Sequence, residues 1–391
     1  MIQHYSYKFR LYPTSEQEVL LNKHFGCTRF IYNYFLDKKT KHYLEAKEKN
    51  LAKKSLNYNH CCLEFTQLKR KDETIWLNDV SHSTIQQTLK NLDSAFNRFF
   101  KKLAKYPNFK KKSGKNSFRT CDHPLIQVNK ISIGHFREGI LFDNHRPVEG
   151  KIKSVTISKT PSGKYWASVL TEREIEPLPT NSKVVGIDLG ITTLATCSDG
   201  TTYPNIRPLK NLEVKLRRAC QSYSRKQKGS KGKEKARVKR AKVYEKITNI
   251  RNDHLQKVTT KIVRENQTII LEDLNVEGMK KNRKLAKSIS DVSLGAFSRM
   301  IEYKAKWYGR TVIKVSRWFP SSKTCSNCSY IKEDLTLSDR KWTCNRCNTC
   351  HNRDMNAAQN ILVQGSNLLN RDCILNENRR NCGDSQLPAQ C

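Results

Sequence analysis

A chain of 391 residues exceeds what one compact core usually holds and predicts two or three domains. Its 73 Lys and Arg against 36 Asp and Glu leave a formal net charge of +37, so a polyanion, nucleic acid, is the expected partner. A basic membrane-surface protein would need an amphipathic anchor, a lipidation signal or a long apolar run. None is found, and Met1-Ile2-Gln3-His4-Tyr5 lacks the regions of a signal peptide, so the expected location is the cytosol.

Residues Ile2 to Leu11 alternate as a strand does, and after Pro13 the pattern Ser15-x-x-Glu18 predicts a capped helix start. Helices are expected to about residue 105, the clearest with Ile85, Leu89, Leu92, Phe96 and Phe99 on one stripe, read as core. The Lys-rich stretch Lys101 to Arg119 carries Tyr106, Phe109 and Phe118, a mix suited to phosphate contacts and base stacking. From Leu125 to Arg173 the period becomes two. Pro161-Ser162-Gly163 predicts a hairpin between strands Ile152 to Thr160 and Lys164 to Thr171. The opening strand needs a sheet, so the helices would be an insertion into this β domain. Glu174 to Ser182, with Pro177 and Pro179, reads as a linker.

An α/β region follows. Strand Lys183 to Ile187 runs into Asp188, and Ile191 to Cys197 is its returning arm. Two helical stretches, Leu209 to Lys228 and Lys233 to Glu265, form the densest basic segment, with 20 basic and 4 acidic residues between Arg207 and Arg264. Strand Thr268 to Leu271, a helix near Ser293 to Tyr308, strand Thr311 to Ser316 and a helix from Asp354 complete the region. Beyond about Gln364 the Asn- and Arg-rich chain loses periodicity and reads as a disordered tail.

A carboxylate in an apolar strand is costly unless it is paired or binds a cation. That happens twice, at Asp188 after Val184-Val185-Gly186-Ile187 and at Glu272 after Ile269-Ile270-Leu271. Glu272 and Asp273 face opposite ways, and spacing does not choose between them. Asp354 opens a helix, where the positive terminus favours an anion. Three converging acids would be satisfied by two Mg2+ ions about 3.5–4 Å apart, which suits a nuclease of the RNase H-like kind. The 14 cysteines of a reducing compartment point to metal, not disulfides. Cys325-x2-Cys328-x15-Cys344-x2-Cys347 has the spacing of a closed structural zinc site. Cys350, with His351 beside it, forms a second legal pair with Cys347. The symmetric set through Cys344 and Cys347 is preferred.

The order of the motif Gly186-Ile187-Asp188-Leu189-Gly190, ILEDLNVEGM from Ile270, Cys325-Ser326-Asn327-Cys328, LTLSDRKWTCNRC from Leu335 and HNRDMNAAQNI from His351 resembles the TnpB family of transposon-encoded proteins, relatives of type V CRISPR effectors. RFIYN from Arg29 and YPNFKKK from Tyr106 extend the likeness over nearly the whole chain. The resemblance implies a multidomain α+β architecture. A β-barrel-like wedge domain (1–14 and 120–175) carries an inserted helical recognition domain (15–119). A RuvC nuclease domain (183–316 and 352–363) with a zinc-ribbon insertion (317–351) follows, and then the tail (364–391). It implies Asp188, Glu272 and Asp354 as catalytic acids holding two Mg2+, and one zinc on Cys325, Cys328, Cys344 and Cys347. It also implies RNA-guided cleavage of double-stranded DNA beside a short transposon-associated motif, by a monomer on its guide RNA. The rivals are a transposase using the same three acids and a non-cleaving, RNA-bound DNA-binding regulator. Ser329 and Asn348 replace the glycines usual in the family's knuckles, and Asn352 replaces a usual Asp, removing a charge near Asp354.

Overall fold

The computed structural model describes residues 2–48, 56–122, 124–336 and 338–383. Its contacts divide the chain into two compact units, Ile2–Glu174 and the chain from Ile175 onward.

In the first unit, β1 (Ile2–Tyr12) leads into α1 (Ser15–Glu48), α2 (Tyr58–Leu68), a 3-10 helix (Asp72–Asp79) and α3 (His82–Phe100). Six strands follow: β2 (Asn116–Thr120), β3 (Leu125–Ile126), β4 (Lys130–Ile133), β5 (Phe136–Phe142), β6 (Lys151–Lys159) and β7 (Tyr165–Glu174). All pairings are antiparallel, in the order β2-β6-β7-β1-β5-β4-β3. The helices thus lie between two strands of one sheet. The sheet takes in Asn116–Thr120, nine residues before Leu125, where the sequence period changes to two, because Phe118 buries itself beside Val155 and Ile157 of β6. Among the described residues its end strands β2 and β3 do not pair, so the sheet is open where a barrel would close. Alternation in β1 puts Tyr7, Phe9 and Leu11 inside. Leu21 and Phe25 at the start of α1 pack on that face, while Ile31, Phe35 and Leu36 further along join α2 and α3 in a separate helical core. The capping box falls one residue earlier than expected: the Thr14 hydroxyl accepts from the Gln17 N–H at 3.3 Å, and Gln17 Oε1 accepts from the Thr14 N–H at 3.1 Å.

In the second unit the order is β8 (Val184–Asp188), β9 (Thr193–Cys197), β10 (Thr202–Pro204), α4 (Pro208–Asn211), α5 (Glu213–Ser224) and α6 (Lys231–Glu265). Then come β11 (Thr268–Glu272), α7 (Val276–Met279), α8 (Ala286–Val292), α9 (Leu294–Tyr308), β12 (Thr311–Val315), β13 (Lys341–Thr343), β14 (Cys350–Asn352) and α10 (Arg353–Gly383). A five-stranded sheet runs β10-β9-β8-β11-β12, antiparallel among the first three and parallel from β8 to β12. Leu255, Val258 and Ile262 of α6 and Phe297 and Ile301 of α9 fill one face of it. Ile361 of α10 packs with Ile270 and Val315 in another cluster. The expected linker is pinned to this unit: the Arg310 guanidinium donates to the Pro179 carbonyl at 2.9 Å and the Leu178 N–H to the Tyr308 carbonyl at 3.2 Å.

The expected disordered tail is corrected over most of its length. Helix α10 continues from Arg353 to Gly383, and only 384–391 lie outside the described residues. No proline interrupts that stretch, and Gly365 sits so close to Ile270 that an added Cβ would collide with its side chain. The missing side chain is what lets the helix run on along the sheet.

Candidate active site and cysteine cluster

Two adjacent parallel strands bring the first two acids together. Register pairs Ile187 with Leu271, so Asp188 and Glu272 occupy the next position on β8 and β11 and share a face by alternation. Asp273 turns the other way and forms an exposed ion pair with Arg317. Spacing left Glu272 and Asp273 equivalent, and parallel register separates them.

Asp354 arrives from α10, whose backbone crosses β8 at Gly186. A Cβ built there would lie 2.5 Å from the Leu362 nitrogen and would also collide with the Ala358 carbonyl. Glycine in the strand therefore permits the close approach that carries Asp354 toward Asp188. Asn352 caps the helix, its Oδ1 accepting at 3.1 Å from the N–H groups of both Asp354 and Met355. Asparagine caps about as well as aspartate, so the replaced charge is not needed for the helix start.

Burial pushes the Asp188 carboxyl up to about 7, helped by the charges of Glu272 and Asp354 and opposed by Arg353 and Arg340. Glu272 and Asp354 therefore lie near enough to act on Asp188, although among the described residues only the four thiols gather ligand atoms within 4.8 Å of one another. Burial also raises Glu272, against a hydrogen bond donated by the buried Ser321 hydroxyl. The Arg340 guanidinium donates at 3.3 Å to both the Asp354 carboxylate and the Thr192 hydroxyl. Three half-buried carboxylates at one end of the sheet, one of them strongly raised, suit hard divalent cations, which would offset their charge.

The four predicted thiols converge, each offering Sγ within 4.8 Å of the others. Cys325 and Cys347 approach to 3.6 Å, and Cys328 and Cys344 to 3.5 Å. Such spacing fits a tetrahedral Zn2+ bound at about 2.3 Å per sulfur. Cys350 is exposed on β14 and outside the cluster, whereas His351 is buried beside Trp342 with its Nε2 3.1 Å from Cys325 Sγ. Ser329 and Asn348 both take left-handed backbone, φ 60° and 53°, and close the two turns through hydrogen bonds from their own N–H groups to the Cys325 and Cys344 carbonyls at 2.9 and 3.0 Å. The knuckles thus keep the turn that glycine would ease.

Sequence reasoning missed the residues that join cluster and acids. Asn356 and Asn360, one turn apart on α10 and buried, donate to the Thr324 carbonyl at 2.7 and 2.6 Å. Asn360 also donates to the Ser321 carbonyl at 2.7 Å, and Asn356 accepts from the Ser326 N–H at 2.9 Å. The loop bearing Cys325 is therefore tied to the helix of Asp354 and, through Ser321, to Glu272. Two asparagines four apart on a helix were the available signal.

Of the aromatics suggested for base stacking, two belong to cores. Phe118 packs in the sheet, and Tyr106 packs on Phe96 and Phe99 with its hydroxyl 2.7 Å from that of Thr40. Phe109 remains exposed. The basic loop is anchored by Asn33, which exchanges hydrogen bonds of 2.7 and 2.9 Å with the Lys110 backbone, while the Lys110 amine lies 3.9 Å from the Tyr32 ring centroid. Among the described residues no helix is long and apolar enough to cross a membrane.

The chain is thus a two-unit α+β protein in which three carboxylates stand near one another and the helix of one of them is tied to a four-thiol cluster. Three family models match it: "Probable transposase" over residues 167–283, "Cas12f1-like, TNB domain" over 295–361 and "Helix-turn-helix domain" over 1–48. The last matches a stretch that in this structure is β1 and a single helix. A "Putative RNA-guided DNA endonuclease" of Streptomyces pristinaespiralis is 38% identical over 364 residues, 92% of this chain and 89% of the relative. The similarly described InsQ of Escherichia coli strain K12 is 31% identical over 385 residues, covering 93% of each. TnpB-like protein L79 of Acanthamoeba polyphaga mimivirus is 24% identical over 92% of this chain and 73% of its own length. This chain belongs to the TnpB family.

Proposed function

We propose that this protein is an RNA-guided endonuclease that cuts double-stranded DNA beside a short flanking motif, through a RuvC-type, RNase H-like centre in its second unit. The observation that carries the reading is that Asp188 and Glu272 stand side by side at the end of a mixed sheet with Asp354 near them, burial and then both acids holding Asp188 up to about 7. Asp188, Glu272 and Asp354 would hold two Mg2+ ions, which when bound supply an activated water and charge stabilisation for the leaving 3′ oxygen. The chain's own part is to fix the acids. Register aligns Asp188 with Glu272, Ser321 orients Glu272, and the Asn352 cap starts the helix that presents Asp354. Arg340, which neutralises Asp354 here, has a guanidinium suited to a substrate phosphate once cations occupy the acids. Cys325, Cys328, Cys344 and Cys347 would hold one structural zinc in a closed site, with no position left for chemistry.

The first unit supports the reading of a wedge sheet with an inserted recognition region, its helices lying between β1 and β2. A net charge of +37 suits a long structured RNA, and base pairing would then supply sequence specificity. The test is to sequence the copurifying RNA, rewrite its guide end, and offer plasmids matching the old or new sequence beside a randomised flank. Cleavage should follow the new guide and enrich one flanking motif. Cutting that ignores the guide, or survives ribonuclease treatment unchanged, overturns the proposal, and strand joining in place of cleavage would favour a transposase.

A further inference from the structure

The turn after β12 carries a side chain that the acids and the cysteine cluster do not use. Trp318 is 86% exposed, although an indole has more to gain from burial than almost any other side chain. The turn that holds it outward is well anchored. The Phe319 N–H donates to the Ser316 carbonyl at 3.0 Å, the Ser321 N–H to the Phe319 carbonyl at 2.8 Å, and the Phe319 ring packs against the cluster of Ile270, Val315 and Ile361. Three residues beyond Trp318, Ser321 bonds the Glu272 carboxylate; one residue before it, Arg317 pairs with Asp273. Trp318 is therefore presented to solvent by the same short segment that orients an active-site acid.

We propose that Trp318 is a positioning residue that stacks on a base of the DNA strand entering or leaving the catalytic centre. The inference rests on the nuclease reading. A nuclease of this kind must lay an unpaired strand across its acids, and stacking holds a strand without reading its sequence, because every base offers a π-face. The surroundings favour a nucleic acid over a protein surface: Arg317 adjoins Trp318 and lines a cleft with Arg299 and Lys280 against one acid, Glu277, and the chain as a whole carries +37. A purely structural tryptophan would be covered.

The test uses full-length protein with its copurified RNA, carrying Asp188→Asn so that binding is read without cleavage. The probe is single-stranded DNA with 2-aminopurine at successive positions, whose fluorescence drops when it stacks. A window of one or two positions should be quenched with Trp318 present, lost in Trp318→Ala and retained in Trp318→Tyr. In competition at raised salt, Trp318→Ala should weaken binding on the order of 5- to 100-fold for normal DNA. It should leave unchanged the binding of a strand abasic across that window. Quenching that persists in Trp318→Ala, or an equal loss on normal and abasic strands, overturns the inference and would point to a role in folding or in docking another surface. Failure of guide-dependent cleavage by the unsubstituted protein would instead overturn the nuclease reading, and the two results are separable because the stacking assay needs no cleavage.

Discussion

Asp188→Asn should do two opposite things, and their combination is diagnostic of a metal site. Cleavage in Mg2+ should be abolished, because one of the three carboxylates that would hold the cations is replaced by a neutral amide. The metal-free fold, in contrast, should become more stable. Asp188 is raised in the folded protein from 3.8 to about 7, so the folded state holds its proton more tightly than the unfolded chain does. Stability from that proton is fully present below about 4 and is lost as pH rises through about 7. A difference of about three units at 1.36 kcal/mol each costs up to about 4 kcal/mol at neutral pH. Asparagine removes this charge from the cluster. For a unit of this size each kcal/mol moves the melting temperature by about 2–4 °C, so the variant should melt on the order of 10 °C higher at pH 8 and nearly level with the parent at pH 4. The assay is thermal unfolding followed by circular dichroism from pH 4 to 8, in magnesium-free buffer without chelator so that zinc is kept. Added Mg2+ should raise the parent's transition and leave the variant's nearly unmoved. If the two proteins show the same pH dependence, or the variant is the less stable at pH 8, the acids do not form a mutually repelling metal site.

Glu272→Ala should abolish cleavage while Asp273→Ala retains it, since the Asp273 ion pair with Arg317 is exposed and worth about 1 kcal/mol at most; equal loss in a plasmid-cutting assay would reverse the assignment. Cys325→Ser should lose zinc and destabilise the second unit, whereas Cys350→Ser should keep one zinc per chain by elemental analysis; zinc lost from the Cys350 variant would refute the ligand set. Gly186→Ala should push α10 off β8, costing more than about 3 kcal/mol in denaturant unfolding and at least tenfold in cleavage, because the colliding atoms are backbone; a fully active variant would disprove the close-approach argument. His24 is buried, its Nδ1 2.9 Å from the Leu20 carbonyl and its Nε2 accepting from the Ser81 N–H at 3.4 Å, and burial lowers its pKa to about 4. The first unit should therefore lose about 3 kcal/mol as pH falls from 6.5 to 4; an NMR resonance assigned to His24, by its loss in His24→Gln, that titrates near 6.5 would contradict this.

Much of the candidate site was legible because local constraints wrote it into the chain. Acids directly after apolar strand runs at Asp188 and Glu272, and paired thiols with two residues between them, are costly or purposeless unless something binds them, so they stand out without any fold. Strand and helix periods were legible for the same reason, each following from one face meeting a core. What remained hidden were choices made by distant partners. Glu272 and Asp273 are adjacent and chemically alike, and only the parallel register of β8 with β11 selects Glu272. Cys344 and Cys350 are equally spaced from Cys347, and only the β13–β14 hairpin turns Cys350 outward. Tyr106 and Phe118 looked available to nucleic acid because composition does not say what an aromatic ring packs against. The chain past Gln364 looked disordered because its polar residues lack a helical period, yet α10 continues, its early turns set by contacts with the sheet at Gly186 and Gly365. The sequence by itself determined which residues could do chemistry, since that depends on side-chain type and local pattern; the tertiary structure decided which of them meet, since that depends on register and backbone approach between segments far apart in the chain.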